Sequence, residues 1–164
     1  MAQEQTPEET PEETPAQRPT GTGGTGLGHR SVTLTRSEKG TYLVTNVRGG
    51  TLRVGGGGES ADFTPVELFL TAMAACSATD VDFITSRIAE PVRFDVTSQG
   101  EKMRDGVENH LGDIEVTFTV RFPDGEAGDR ARERLPRAIE QSRDRLCTVS
   151  RTVQRGAPVV MHEA

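Results

Sequence analysis

The sequence predicts an α+β protein with antiparallel sheets, and three observations predict it. Short segments of alternating apolar and polar residues lie on both sides of one long apolar segment that begins at Thr64. A second helical pattern follows the strongest of the alternating segments. Strands and helices do not alternate as in a parallel sheet, so we expect helices packed against antiparallel strands.

The first predicted strands form an antiparallel meander. Residues 30–36, 41–47 and 51–54 have the alternation of strands, and glycine-containing turns separate them. Gly55-Gly56-Gly57-Gly58 follows without the Gly-Lys-Ser/Thr ending of a phosphate-binding loop, so we interpret it as a flexible connection.

A long helix should begin after Thr64. Thr64 is a good N-cap, Pro65 suits the first helical position, and Glu67 completes the spacing of a capping box. Residues 66–75 are apolar at nearly every position, which predicts a helix buried on several sides. The pattern continues through Arg87 and should end before Pro91.

The second half of the chain is predicted to hold further strands and helices. These are a strand at 92–98, a loop at 100–112, a strand at 113–122, a helix at 129–145, a short helix within 146–153 and an edge strand at 157–161. Pro136 should kink or restart the helix that contains it.

The length of 164 residues suits one domain. Residues 1–28 carry −4 of the total charge of −6 and little that is apolar, so we expect a disordered leader and a single domain over 29–164. The remaining −2 does not suggest a nucleic-acid partner. We expect no apolar run to reach the ~20 residues of a membrane span. The N-terminus lacks a signal pattern, so we expect a cytoplasmic protein without a membrane partner.

Two cysteines, Cys76 and Cys147, lie 71 residues apart, so any link between them must be tertiary. A buried free cysteine is commonly inert. Cys76, however, lies on the apolar helix, and Cys147 precedes a predicted helix start, where unpaired N–H groups stabilise a thiolate. The three histidines have no metal-ligand spacing, and we expect no metal. Asp80 and Asp82 point about 200° apart on a helix and are expected to be solvated or capping.

Cys76 lies too far from its helix N-terminus for the helix dipole to activate it. A reactive thiol at this position therefore needs a cation nearby. The candidates are the arginines of the first sheet: Arg30, Arg36, Arg48 and Arg53. Arg36, at a strand end, is the first choice.

Two motifs give the chain a family resemblance. Pro65-x-Glu67-Leu68 leads to Met73-Ala74-Ala75-Cys76, and Leu146-Cys147-Thr148-Val149-Ser150 follows about seventy residues later. Over residues 30–164 the chain resembles the OsmC/Ohr superfamily. The resemblance implies antiparallel sheets around a long buried central helix in an intertwined homodimer.

The resemblance also implies a function, the thiol-dependent reduction of organic hydroperoxides in oxidative stress defence. Cys76 would be the peroxidatic cysteine and Cys147 the resolving one, forming a disulfide through a sulfenic acid. An external dithiol or lipoylated protein would reduce it, with no cofactor. We expect Phe69, Met73 and Phe83 to line the substrate pocket.

Some positions depart from the best-characterised peroxidases. Val66 replaces the glutamate that follows their helix-starting proline, and Thr148 stands where many relatives have proline. Glu67 lies one position later, so capping is its expected role and orientation of an arginine the lesser one. The segment 77–81 is similar to a less characterised, YhfA-like branch. A non-enzymatic dimer that binds an apolar ligand or senses oxidants, and a hydrolase or transferase that uses Cys76 alone, are the alternatives.

Overall fold

The computed structural model describes residues 26–58 and 60–163. The predicted leader at 1–28 lies outside the described residues except for 26–28, which form exposed bends. Contacts group the chain into two compact units, Met1–Asp62 and Phe63–Ala164. The single domain predicted over 29–164 stays a prediction, and each unit is described by itself.

The N-terminal unit contains the predicted meander. Strands β1 (Val32–Glu38), β2 (Thr41–Asn46) and β3 (Thr51–Val54) form an antiparallel sheet in that order. Gly40 has a φ of 78° in the β1–β2 turn, which explains the glycine there. Arg53 on β3 forms an ion pair with Asp62, which follows the strand, at 3.3 Å.

One face of this sheet is apolar. Leu34 lies opposite Val44, and Val44 lies opposite Leu52. Because side chains alternate along a strand, Val32 and Arg36 share this face. Val32 is 63% exposed and Leu34 is 53% exposed. The apolar alternation of β1 therefore forms an apolar face that is not buried.

The C-terminal unit begins with the predicted capping box. Helix α1 spans Pro65–Thr85, and the Thr64 side chain accepts a hydrogen bond from the Glu67 N–H at 3.3 Å. The Glu67 carboxylate accepts one in return from the Thr64 N–H at 2.7 Å. The helix ends at the cap residue Ser86, earlier than the sequence predicts.

Helix α1 buries one stripe of side chains. Its buried residues recur every fourth position: Met73, Ser77, Val81 and Thr85. The other faces are half-buried or exposed in this single chain, so the predicted burial on several sides is not found here. The half-buried and exposed apolar side chains of α1 therefore remain available to further packing.

Helix α1 is also long and apolar enough to cross a membrane by length and composition alone. It has 21 residues and a mean hydropathy of 1.3 over its best window, so the expectation that no apolar run reaches this length is wrong. A single helix of this kind is weak evidence for a membrane span, because core helices of globular proteins pass the same test.

A two-stranded sheet packs against α1. Strand β4 (Arg93–Gln99) pairs antiparallel with β7 (Glu115–Arg121), from Arg93 opposite Arg121 to Gln99 opposite Glu115. Half-buried and exposed residues alternate on both strands, as their sequences predict. The rings of Phe94 and Phe118 meet edge to face at 6.3 Å.

The segment 100–112, predicted as a loop, instead forms a hairpin. Strands β5 (Lys102–Asp105) and β6 (Glu108–Leu111) pair antiparallel, and Gly106 turns the chain with a φ of 59°. Nearly all its residues are exposed, so no apolar alternation marks these strands in the sequence.

Helix α2 spans Glu126–Gln141 and continues past Pro136 without a restart. A π-helical turn, Ser142–Leu146, replaces the predicted last turn, and the short helix α3 follows at Thr148–Gln154. The edge strand predicted at 157–161 is wrong. These residues have no regular structure and are exposed, and no described strand pairs with them.

Candidate active site

The two cysteines meet beside helix α1. Their sulfur atoms and a carboxylate oxygen of Asp80 all lie within 4.8 Å of one another. The thiols are free, Cys147 is fully buried, and Cys76 is half-buried. The two cysteines, which are 71 residues apart in the sequence, are therefore in non-bonded contact in the folded chain.

Helix α3 begins at this site. Cys147 is its N-cap, and the Cys147 sulfur accepts a hydrogen bond from the Ser150 N–H at 3.3 Å. The backbone N–H of Val149 lies close enough to Cys76 to lower the pKa of its thiol. The first turn of α3 thus directs one backbone donor toward each sulfur, as expected where helical N–H groups lack intrahelical partners.

The π-helical turn fixes Cys147 from the other side. The Cys147 N–H donates to the Ser142 carbonyl at 3.0 Å, and the Ser142 hydroxyl donates to Asp80 Oδ2 at 2.9 Å. Ser142 is almost fully buried. One serine therefore connects the cysteine-bearing segment to α1, and π-helical turns of this kind are frequent at functional sites.

The surroundings raise the pKa of the Cys76 thiol. Burial is the largest cause, and the neighbouring Cys147 and the negative charge of Asp80 raise it further, whereas the backbone N–H of Val149 lowers it. Among the described residues, no cationic side chain contributes to the pKa of Cys76. The thiolate of Cys76 is therefore disfavoured in this single chain.

A cavity of about 450 Å³ is lined by neighbours of the two cysteines, although the cysteines themselves are not among its lining residues. Its walls include Ser77, which follows Cys76, and Ser150, which donates to Cys147. Apolar side chains form most of the remainder: Met73, Leu111, Ile114, Val116, Phe118, Ile139 and Val153. Organic molecules of moderate size fit such a lining.

The structure separates the predicted pocket residues. Met73 lines this cavity, but Phe69 and Phe83 are not among its lining residues, and Phe83 is 60% exposed. Phe69 lies one turn before Met73 on the same side of α1 and is half-buried, whereas Phe83 lies on a different face of the helix. The wall opposite α1 instead comes from β7 and α3.

The remaining predicted residues lie elsewhere. Glu67 forms the capping box and borders a second, more open cavity of about 530 Å³ between α1 and β4. Arg36 lies exposed on β1 in the N-terminal unit, and its role as thiolate partner stays a prediction.

Sequence reasoning missed Asp80 and Ser142. The relevant spacing of Asp80 is to Cys76, which lies four residues earlier and hence on the same helix face. That spacing could have placed Asp80 near the thiol. No local pattern could have paired Asp80 with Ser142, because the contact spans 62 residues.

Comparisons with known proteins agree with this architecture. The family model described as OsmC-like protein matches residues 56–162. A comparison with curated protein sequences found no match.

Three solved structures share the fold. A hypothetical protein from Aquifex aeolicus is 22% identical with a TM-score of 0.63, over 79% of this chain and 89% of its own. An OsmC-like protein from Mycoplasma pneumoniae is 14% identical with a TM-score of 0.61, over 77% and 87% of the two chains. The organic hydroperoxide resistance protein OhrB of Bacillus subtilis is 20% identical with a TM-score of 0.51, over 80% and 94%. With the family model matching well over half of its length, this chain belongs to the OsmC-like family.

Proposed function

We propose that this protein is a thiol-dependent peroxidase that reduces organic hydroperoxides with Cys76 and Cys147. The observation that carries the proposal is the non-bonded contact between two free sulfurs, one half-buried and one fully buried. The half-buried thiol is accessible to a substrate. The buried thiol beside it is not, so it reacts only with the oxidised form of the first cysteine. The structural neighbour from Bacillus subtilis, named for organic hydroperoxide resistance, supports the same assignment.

The chemistry takes two steps. The Cys76 thiolate attacks the terminal peroxide oxygen, the O–O bond breaks, and the alkoxide leaves as an alcohol after protonation, with Cys76 oxidised to a sulfenic acid. The Cys147 sulfur then displaces the hydroxyl group, which leaves as water with the Cys147 proton, and a disulfide forms. An external dithiol or lipoylated protein returns both cysteines to thiols.

The disulfide requires little movement. Bonded sulfurs lie about 2.05 Å apart, so sulfurs within 4.8 Å must approach by less than about 3 Å. Cys147 is the N-cap of the short helix α3, where a change of side-chain rotamer does not interrupt a helix interior. This arrangement favours an intrachain disulfide over one between molecules.

Activation of Cys76 needs a cation. Since the pKa of this thiol is raised, we propose that Arg36 supplies the positive charge in a homodimer. Arg36 shares the exposed apolar face of β1 with Val32 and Leu34, so a subunit that covers this face also covers Arg36. The half-buried apolar surface of α1 gives a second area for the same association.

The cavity lined by Ser77 and Ser150, which neighbour the two cysteines, supports a substrate class. Its mainly apolar walls favour organic hydroperoxides over hydrogen peroxide, since an apolar side group gains free energy on leaving water. Val153→Trp should fill part of the cavity and slow cumene hydroperoxide turnover more than hydrogen peroxide turnover. Val92→Trp, at an exposed position outside the cavity, is the matched control.

Steady-state kinetics of cysteine variants tests the assignment. With cumene hydroperoxide and a dithiol reductant, Cys76→Ser should abolish turnover, and Cys147→Ser should retain one fast oxidation without a disulfide. A dithiol should support turnover better than a monothiol. Steady-state activity retained in both variants would overturn the two-cysteine mechanism.

The raised pKa of Cys76 favours one alternative, a dimer that senses oxidants or binds an apolar ligand without turnover. Slow loss of both thiols with no catalytic cycle would support that function. Hydrolysis by Cys76 alone would instead appear as ester cleavage that stops when Cys76 is alkylated.

A further inference from the structure

We propose that Cys76, Asp80 and Cys147 form a binding site for a thiophilic divalent cation of the zinc class in the reduced protein. One potential ligand atom from each residue lies within 4.8 Å of the other two. None of the three histidines belongs to this group. The lack of metal-ligand spacing among them therefore does not bear on this site.

The distances suit tetrahedral coordination. Zinc–sulfur bonds of about 2.3 Å and zinc–oxygen bonds of about 2.0–2.2 Å place tetrahedral ligand atoms about 3.5–3.8 Å apart. Atoms within 4.8 Å of one another therefore need to approach by about 1 Å, which side-chain rotation supplies. Cys76 and Asp80 are one helical turn apart on α1, so the helix holds two of the three ligands on one face.

Hydrogen bonds already orient two of the ligands. The Ser142 hydroxyl donates to Asp80 Oδ2 at 2.9 Å, which leaves Oδ1 for a metal. The Ser150 N–H donates to the Cys147 sulfur at 3.3 Å. Hydrogen-bond partners of this kind fix the orientation of the ligands, and their loss typically lowers metal affinity by roughly 10–100-fold.

The burial of the three residues leaves room for a fourth ligand. Cys147 is fully buried, whereas Cys76 and Asp80 are half-buried, so the open side of the site lies toward solvent. A water molecule on that side would complete the coordination. Two thiolates and a carboxylate select zinc or cadmium over magnesium or calcium, which prefer oxygen ligands.

Metal binding and disulfide formation exclude each other. Coordination replaces the protons of the two thiols, which pass to solvent, and no electrons are transferred. A disulfide removes both sulfur ligands at once. The further consequence, that a bound cation protects Cys76 from peroxide, rests on the proposed function, whereas binding itself does not.

Cadmium titration of the reduced full-length protein in chelator-treated buffer tests the site. Thiolate-to-cadmium charge transfer gives an ultraviolet band that reports sulfur ligation without any enzymatic assay. We expect one equivalent to bind, zinc to compete for it, and Cys76→Ser or Cys147→Ser to remove the two-sulfur band. Asp80→Asn should weaken binding at least tenfold, because losing a residue that only supports a ligand already costs about that factor at metal sites.

Asp82→Asn is the matched control. Asp82 lies on the same helix but is exposed and about 200° away from Asp80, so its loss should leave the affinity unchanged. Absence of a stoichiometric band, an unchanged band in Cys147→Ser, or equal losses in the Asp80 and Asp82 variants would overturn the site. Circular dichroism of each variant shows that it is folded.

The outcome separates this site from the proposed peroxidase. Cadmium binding by a protein whose thiols ignore cumene hydroperoxide would keep the metal site and reject the peroxidase. Rapid disulfide formation by a protein that binds no cadmium would do the reverse.

Discussion

At the scale of single residues, the thiol of Cys76 lies one helical turn from the carboxylate of Asp80. The negative charge there raises the pKa of Cys76, in addition to the larger effect of burial. The sequence places both cysteines on the right elements, because a helix start and an apolar helix are local patterns. It does not place Asp80 at the site, since only the fold directs the Ser142 hydroxyl to that carboxylate.

Asp80→Asn should lower the pKa of Cys76, because it removes a negative charge beside the developing thiolate. The pH dependence of alkylation of the Cys147→Ser protein, with and without the change at Asp80, measures this pKa in metal-free buffer. The reaction rate should rise with pH until the thiol is ionised, and the rise should begin at lower pH in Asp80→Asn. Asp82→Asn should not move the profile, and an upward shift in Asp80→Asn would contradict the electrostatic explanation.

At the scale of elements, the start of α1 was predictable, whereas helix ends were not and α2 begins at Glu126, three residues before the predicted start at 129. Thr64, Pro65 and Glu67 determine where α1 begins, because the capping box uses neighbours in the chain. The π-helical turn after α2 depends on contacts of Ser142 with α1 and Cys147, which no local pattern contains. The hairpin at 102–111 was missed because strands exposed on both faces lack apolar alternation.

Thr64→Ala should lower the free energy of unfolding by about 1 kcal/mol, the usual effect of losing a threonine N-cap. Urea denaturation measures the change. Thr71→Ala is the control, because it deletes an exposed threonine on the same helix whose hydroxyl bonds only to the carbonyl of Glu67. A loss in Thr71→Ala as large as in Thr64→Ala would argue against the capping box.

The capping box also predicts a pH dependence. Hydrogen bonds from Thr64 lower the pKa of the Glu67 carboxyl group in the folded state. Its contribution is therefore present above the unfolded-state pKa and is lost as the pH falls through the folded-state pKa. The stability difference between the natural protein and Glu67→Gln should be present at neutral pH and shrink in acid. A difference that grows as the pH falls would contradict the assignment.

At the scale of the whole molecule, the N-terminal sheet presents an apolar face and α1 keeps half-buried apolar sides. The α+β class with antiparallel sheets was predictable from strand and helix order. The contact between the two cysteines, 71 residues apart, could be predicted only because the family resemblance implies it. Association of two subunits is the simplest explanation for apolar surface left by one chain, and it is a proposal.

Leu34→Glu should shift the protein toward monomer, because a carboxylate would be desolvated in the proposed interface on the apolar face of β1. Sedimentation velocity measures the mass in solution. Thr35→Glu introduces the same charge at the next position, which faces the other side of the strand, and should leave the dimer intact. A natural protein that sediments as a monomer at all concentrations would exclude the dimer.

Disulfide mapping after a single oxidation tests the central claim most directly. The reduced protein, in metal-free buffer, receives one equivalent of cumene hydroperoxide, is quenched with an alkylating reagent, and is digested for mass spectrometry. The account predicts that both thiols disappear together and that one intrachain bond joins Cys76 to Cys147. Two alkylated thiols, or a bond that joins cysteines only between chains, would contradict it.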